Sequence, residues 1–412
     1  MAAIYKVYQN KEALSTTMKD EISCLIIGAL PGSLTNFRGS LIKAIAAKGA
    51  KVYAAANGGD AYIETKLLEM GVEYYPIRIK RAGVNPLVDL FTIADLINLM
   101  RRVKPSIVLS YTIKPIIYGG LAARICGVKN IFSMIEGLGH VFMPYESLSH
   151  ALSSIVARWL YRVGLLSCKR VFFLNPDDLN QFVQERYVSK QKAILLNGIG
   201  VDLQYYAKEE LPESSCVRFL MITRLLRDKG VREYVEAARI VRTTYQNAEF
   251  VLAGDLDDNP SSIGKEELDL WQEEGIINYV GHVDDVRPLF RNCHVYVLPS
   301  FYREGTPRTV LEAMSSGRAI ITTDMPGCRE TIKKPLTEVT CKAEEVNSLK
   351  IGSNGIMISV KSVGSLVSAI LFFLEHTDQI VAMGKKSRDY AEERYNIHEV
   401  NSVILKEIGI KN

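Results

Sequence analysis

Two carboxylates and two cations are the residues of this chain best placed to do chemistry. Glu304 and Glu312 are separated by seven residues within Ser300 to Ile332, which reads SFYREGTPRTVLEAMSSGRAIITTDMPGCRETI. An apolar, β-rich run, His294 to Leu298, leads into that stretch and stops at Pro299 and Ser300, where an α/β sheet presents ligands at the carboxyl ends of its strands. Thr306 suits a helix cap and Pro307 a first helical position, so a helix is predicted from there through Arg308, Thr309, Leu311, Glu312 and Met314 to a stop at Gly317. The free amides of a helix start draw anions. With Glu304 before it and Glu312 inside it, a phosphate joined to a polyhydroxyl group would satisfy both features. Either Glu alone would be an ordinary solvated residue.

The cations are Arg224 and Lys229, in the loop between an apolar strand, Arg218 to Thr223, and the helix pattern VREYVEAARIV. A guanidinium fork and an ammonium point charge together suit a diphosphate. A second phosphate-friendly unit is Gly28-Ala29-Leu30-Pro31-Gly32-Ser33, a small-residue loop between the strand SCLIIGAL and an amphipathic helix whose Leu41, Ile42, Ile45 and Ala46 share a face. It is not G-x-G-x-x-G, and on its own it is an ordinary βα turn. Asp255-Leu256-Asp257 has the D-x-D form of a metal site, but it runs into an Asn-Pro loop, and the six His show no ligand spacing. No metal and no cofactor is expected.

The elements that must hold these groups alternate. Apolar strands and amphipathic helices succeed one another from Ser23 to Ile135, with strands KVYAAA, VEYYPI, SIVLSY and NIFSMI and a helix from Pro86 to Val103, which describes a parallel, doubly wound domain. NIFSMI runs into Glu136-Gly137-Leu138-Gly139-His140, a Gly-rich turn at a strand's carboxyl end. After RVFFL, Asn175-Pro176-Asp177-Asp178 is a helix-capping sequence, and KAILLNGIGVD is a last strand. Alternation restarts at Arg218. At 412 residues the chain exceeds one hydrophobic core, so the division is set at 1–208, 209–384 and a helical 385–412, with the linker in the polar, proline-containing Lys208 to Cys216.

Composition is that of a globular protein, with 48% hydrophobic and 23% charged residues. Seven scattered cysteines without a C-x-x-C pair indicate neither a disulfide framework nor a zinc site. No signal peptide and no apolar run of membrane-spanning length is visible, so a cytoplasmic location is expected. Net charge is +4 overall but +8 over residues 1–180, from 21 Lys and Arg against 13 Asp and Glu. Dispersed basic residues without a recognition motif argue against nucleic acid. An anionic membrane surface fits better, and Leu148 to Leu166, with Trp159, Tyr161, Arg158 and Arg162 and then Lys169 and Arg170, reads either as an interfacial helix or as one packed on the sheet with its Arg at the wet edge.

The string EGTPRTVLEAM, followed by PGCRE, resembles the donor-site signature of the family 4 retaining glycosyltransferases of GT-B fold, and the likeness extends over nearly all of residues 22–395. Bacterial polysaccharide members of that family have a run similar to Ser33-Leu34-Thr35-Asn36-Phe37-Arg38 and a G-L-G turn where this chain has Gly137-Leu138-Gly139. The resemblance implies two Rossmann-like domains facing across a cleft, with a final helix that returns to the first. It implies that Arg224 and Lys229 bind the diphosphate of a UDP-sugar, with Gly32, Ser33, Gly305, Thr306, Pro307, Arg308 and Thr309 about the donor, Glu304 beside sugar and phosphate, Glu312 on the ribose and Val283 against the base. It further implies a lipid-diphosphate-linked glycan acceptor at the inner membrane face in capsule or O-antigen assembly. Glu136 departs from the His or Thr that members carry there, and it would face the cleft as an acceptor-binding or proton-accepting group. Two rivals remain: a UDP-sugar epimerase of GT-B-like fold and a non-catalytic nucleotide-sugar-binding subunit. Lys333 to Gly352 is longer than the family's usual turn at that point.

Overall fold

The computed structural model describes residues 22–80, 86–142, 148–257, 259, 261–340 and 348–410. By compactness the chain divides into one unit of residues 1–133, 163–170 and 405–412 and another of 134–162 and 171–404. The amino-terminal twenty residues and the tip of the 333–352 insertion lie outside the described residues.

Two sheets carry the fold. The first holds β1 (Ser23–Ile27), β2 (Lys51–Asn57), β3 (Glu73–Ile77), β4 (Ile107–Tyr111), β5 (Asn130–Ile135), β6 (Arg170–Phe173) and β7 (Ala193–Leu195), in the order β3-β2-β1-β4-β5-β6-β7. The pairs β1 with β2, β1 with β4, β2 with β3 and β6 with β7 are parallel. The second sheet holds β8 (Val217–Ile222), β9 (Ala248–Ala253), β10 (Asn278–Tyr279), β11 (Val295–Leu298), β12 (Ala319–Thr323), β13 (Thr337–Thr340), β14 (Ser348–Gly352) and β15 (Gly355–Ile358). Its order is β10-β9-β8-β11-β12-β15-β14-β13. Both orders run outward from the first strand and then return to its other side. That places a topological switch point between β1 and β4 and another between β8 and β11, and a crevice opens at the carboxyl ends there.

The continuous apolar runs read from the sequence are the buried strands. β4, β11 and β12 are buried along their whole length, as a sheet covered on both faces requires. One local expectation is revised, and one segment left unassigned by the sequence takes shape. Pro31 opens a short helix, Pro31–Asn36, so Gly32 and Ser33 are helical and not in a loop; proline's fixed φ suits a first helical position directly after extended Leu30. The insertion forms a hairpin, with β13 antiparallel to β14 and β14 antiparallel to β15, which widens the second sheet at one edge.

Candidate active site

The loops that follow β8 and β11 flank the second switch point and are stitched together. Asp228 O, in the β8 loop, accepts from Phe301 N at 2.9 Å and Tyr302 N at 3.0 Å in the β11 loop. Across that junction Lys229 Nζ forms an ion pair with Glu304 Oε1. Both side chains are largely withdrawn from solvent, and Ser300 Oγ donates to the same carboxylate oxygen at 3.1 Å. The Tyr302 ring lies 5.0 Å from Lys229 Nζ and adds a cation–π contact. Arg224, on the same β8 loop, holds Asp257 at 2.7 Å. The two sequence-selected cations therefore come to one switch point, each with a carboxylate partner.

Glu312 is 4% exposed, and its Oε1 accepts from Arg308 Nε at 2.6 Å, one turn earlier on the helix Arg308–Ser315. Burial pushes its carboxyl above the usual range, while Arg308 and a hydrogen bond with Tyr206 pull it back. The helix begins one residue later than the sequence indicated, with Pro307 as the boundary residue. Thr306 does not cap it, because its buried hydroxyl donates to Leu174 O at 2.9 Å. Thr309 Oγ1 instead meets the Tyr296 hydroxyl of β11 at 2.6 Å, which ties the first helical turn to the sheet. At this helix start Val310 N and Leu311 N donate to Pro307 O at 3.2 and 3.3 Å.

The Glu136–Gly139 turn is brought directly against the Glu304 loop. A Cβ on Gly137, whose φ is +106°, would stand 2.6 Å from Arg303 O and from Gly305 N. A Cβ on Gly305 would stand 2.7 Å from Glu136 O. Only glycine at both positions lets the two backbones touch. Glu136 is half-buried in that junction.

Sequence reasoning missed what holds this junction from beneath. Asn175, fully buried, caps the helix Pro176–Gln184 as expected, its Oδ1 accepting from Asp178 N at 2.8 Å. Its Nδ2 also donates to Gly305 O at 2.8 Å and Glu304 O at 3.2 Å. Next to it Arg303 pairs with Asp178 at 2.9 Å and donates to Gln181 Oε1 at 2.7 Å. Burial pushes the Asp178 carboxyl up to about 6, against the pull of Asn175 and Arg303. The one signal in the sequence was that the cap is Asn, which can donate as well as accept. Beside this cluster lies a cavity of about 470 Å³ lined by Phe142, Asp177, Gln181, Arg303, Met325, Pro326 and Arg329.

The remaining expected residues belong to other elements. Ser33 Oγ donates to Leu30 O at 2.6 Å and lies 2.8 Å from the Tyr111 hydroxyl of β4, so the first sheet's switch point is tied by its own pair; Gly32 faces open space. Val283, half-buried, follows the turn at Gly281, whose carbonyl accepts from Gly254 N at 2.9 Å. The D-x-D carboxylates both have cationic or imidazole partners: Asp257 meets Arg224, and Asp255 meets His282 Nδ1 at 2.7 Å. Asp284 and Asp255 raise the His282 pKa. Among the described residues no group of three or more His, Cys, Asp or Glu is arranged to hold a metal ion.

Comparison with known proteins fits this arrangement. Residues 216–376 match the family described as glycosyl transferases group 1, and residues 33–169 match glycosyl transferase 4-like proteins. An N,N'-diacetylbacillosaminyl-diphospho-undecaprenol alpha-1,3-N-acetylgalactosaminyltransferase of Campylobacter jejuni is 29% identical over 77% of this chain and 84% of its own length. A UDP-Gal:alpha-D-GlcNAc-diphosphoundecaprenol alpha-1,3-galactosyltransferase of Escherichia coli is 24% identical over 69% of this chain and 74% of its own. Among solved structures, a glycosyltransferase from Rickettsia africae superposes with a TM-score of 0.72 at 16% identity, covering 94% of this chain and 98% of that one. Anabaena Alr3699/HepE in complex with UDP and glucose gives 0.70 at 15%, covering 94% and 100%, a likeness of fold. Two doubly wound sheets, cations and carboxylates gathered at the β8/β11 switch point, and these matches agree: the chain is a glycosyltransferase of GT-B fold and belongs to the group 1, family 4 enzymes.

Proposed function

We propose that this glycosyltransferase moves a hexose or N-acetylhexosamine, galactose or N-acetylgalactosamine foremost, from a UDP-sugar to a glycan carried on a polyprenyl diphosphate, with retention of configuration. The observation that carries the reading is the Lys229–Glu304 pair at the β8/β11 switch point, with Arg224 on the same loop. The relatives' own names, both acting on undecaprenyl-diphosphate-linked acceptors, support the choice of acceptor.

The chemistry follows from which charges can change partner. An arriving diphosphate offers Lys229 a stronger partner than Glu304, and Arg224 a bidentate one. Lys229 then turns to the phosphate, and the freed Glu304 accepts from a sugar hydroxyl. As the bond from sugar to phosphate breaks, charge collects on the leaving diphosphate, where Arg224, Lys229 and the first-turn amides of Arg308 and Thr309 oppose it without reorganising. The leaving phosphate is itself basic enough to take the acceptor hydroxyl's proton, and Glu136 is the protein group best placed to orient that hydroxyl. Glu312 holds the ribose, already oriented by Arg308.

The test is a panel of nucleotide sugars supplied with a synthetic polyprenyl-diphosphate-linked saccharide, with product followed by mass and its new anomeric linkage by NMR. An α-linked product from a UDP-α-sugar is expected. Turnover of donor without an acceptor-borne product would favour the epimerase reading, and an inverted linkage would refute retention.

A further inference from the structure

The helix Leu148–Leu165 buries one seam and leaves the opposite one bare. Ser154, Tyr161 and Leu165 are buried, and Tyr161 packs edge-on against Phe142 and Phe182. On the other side Leu152, Ile155, Val156 and Trp159 follow one another at helical spacing and are 66%, 56%, 41% and 60% exposed. Scattered exposed apolar residues need no explanation, but four in one stripe ending in a tryptophan do.

Charge points to what covers it. Between Glu146 and Asp177 the sequence has Arg158, Arg162, Lys169 and Arg170 and no acidic residue. The arginines of this helix do not reach out as a basic comb: Arg158 Nε donates to Val141 O at 3.2 Å and lies over the Phe142 ring, and Arg162 Nη2 donates to Glu185 O at 2.7 Å and lies over Tyr187. Their positive charge is fixed along the flank of the apolar stripe. A protein partner recognising such a face would need acidic groups around an apolar centre; an anionic bilayer presents that combination over any area, and tryptophan favours its interface. Among the described residues no single helix is long and apolar enough to cross a membrane.

We propose that this face is a lipid-docking surface: Leu152, Ile155, Val156 and Trp159 enter the interface of an anionic bilayer, with Arg158 and Arg162 at the headgroup level. The inference deepens the proposed reading, and rests on it for its purpose, since a lipid-linked acceptor has to be met at the membrane. Apolar insertion, and not charge alone, holds the protein there, so binding should weaken with salt but survive it.

The chain has two tryptophans, and Trp271 is buried in the core, which makes Trp159 readable. Wild-type protein is mixed with phosphatidylethanolamine/phosphatidylglycerol vesicles carrying brominated acyl chains, and compared with Trp159→Phe and with Leu152→Ser/Trp159→Ser. Wild-type fluorescence should be quenched by the bromines and that of Trp159→Phe should not. The double variant should cosediment with vesicles about 10-fold more weakly or worse, from the apolar area removed. Its UDP binding and its transfer to a water-soluble, short-chain acceptor should stay at wild-type level. Vesicle binding without quenching of Trp159, equal binding by the double variant, or a wild-type dimer that the double variant dissociates would each overturn the proposal. A protein that docks as described yet transfers sugar to neither acceptor upholds the docking surface and refutes the functional reading.

Discussion

Replacing Asn175 by Ser tests whether the Glu304 loop is positioned from beneath. Serine caps a helix about as well as asparagine, so the helix Pro176–Gln184 keeps its start. The shorter side chain cannot span to the two carbonyls that Asn175 Nδ2 now serves at 2.8 and 3.2 Å. Glu304 O and Gly305 O both lose that donor, and Gly305 O keeps only a share of the Thr306 hydroxyl, which also serves Leu174 O. A buried carbonyl left unmet costs about 1 to 3 kcal/mol, the expected loss of stability in urea or thermal unfolding. The catalytic loss follows from position: a shift of about 1 Å in a residue that touches the reacting sugar can cost about 100-fold. We expect kcat for transfer to fall by about 10- to 100-fold, with UDP affinity nearly unchanged because Arg224 and Lys229 are untouched. Asn175→Ser with wild-type kcat and wild-type stability would show that the amide contacts hold nothing that matters.

Other groups can be tested singly. Glu136→Gln should lower transfer by about 100-fold with little change in donor affinity, as measured by initial rates; full activity would remove Glu136 from the reaction. Asp178 is raised from 3.8 to about 6 by burial, so the native state holds its proton more tightly than the unfolded chain does. Its contribution is therefore fully present below about pH 3.8 and lost as pH rises through about 6; the stability difference between wild type and Asp178→Asn should change by about 3 kcal/mol over that window. Parallel pH profiles of unfolding would contradict this. Because Asp255 and Asp257 already pair with His282 and Arg224, excess chelator should leave transfer largely unchanged; complete loss, restored by magnesium or manganese, would give these carboxylates a metal to bind.

Much of this site was legible because it is local. The strand NIFSMI and the helix from Pro86 to Val103 lie where their apolar periods place them, and the E-x7-E run has its loop at a strand end and its helix after it. What was not legible depends on partners far apart in the chain. Asn175 and Gly305 are 130 residues apart, and nothing in a capping sequence says that the cap's amide group also serves another loop. Gly137 read as a turn residue and Gly305 as part of the donor loop, whereas each makes room for the backbone of the other's segment. Thr306 has the right type for a cap, yet Leu174 O, from the end of β6, offers its hydroxyl a buried partner that a cap would not. The chain between Lys208 and Cys216, polar enough to read as a linker, is pinned by fully buried Arg318, which donates to Glu209 O at 2.9 Å and Glu210 O at 3.0 Å. The helix Leu148–Leu165 shows the same limit: its sequence is amphipathic on either reading, and only the packing of Tyr161 fixes which side faces out.

The central claim is that Arg224 and Lys229 form the diphosphate site at the β8/β11 switch point, and calorimetric titration of UDP into wild type and into the Arg224→Ala/Lys229→Ala double variant tests it most directly. Each substitution removes a charge-assisted contact of about 1.5 to 3 kcal/mol, so together they should weaken UDP binding by about 100-fold or more while far-UV circular dichroism stays that of the folded protein. A folded double variant that binds UDP as tightly as wild type would contradict the account, because the diphosphate would then be held somewhere else.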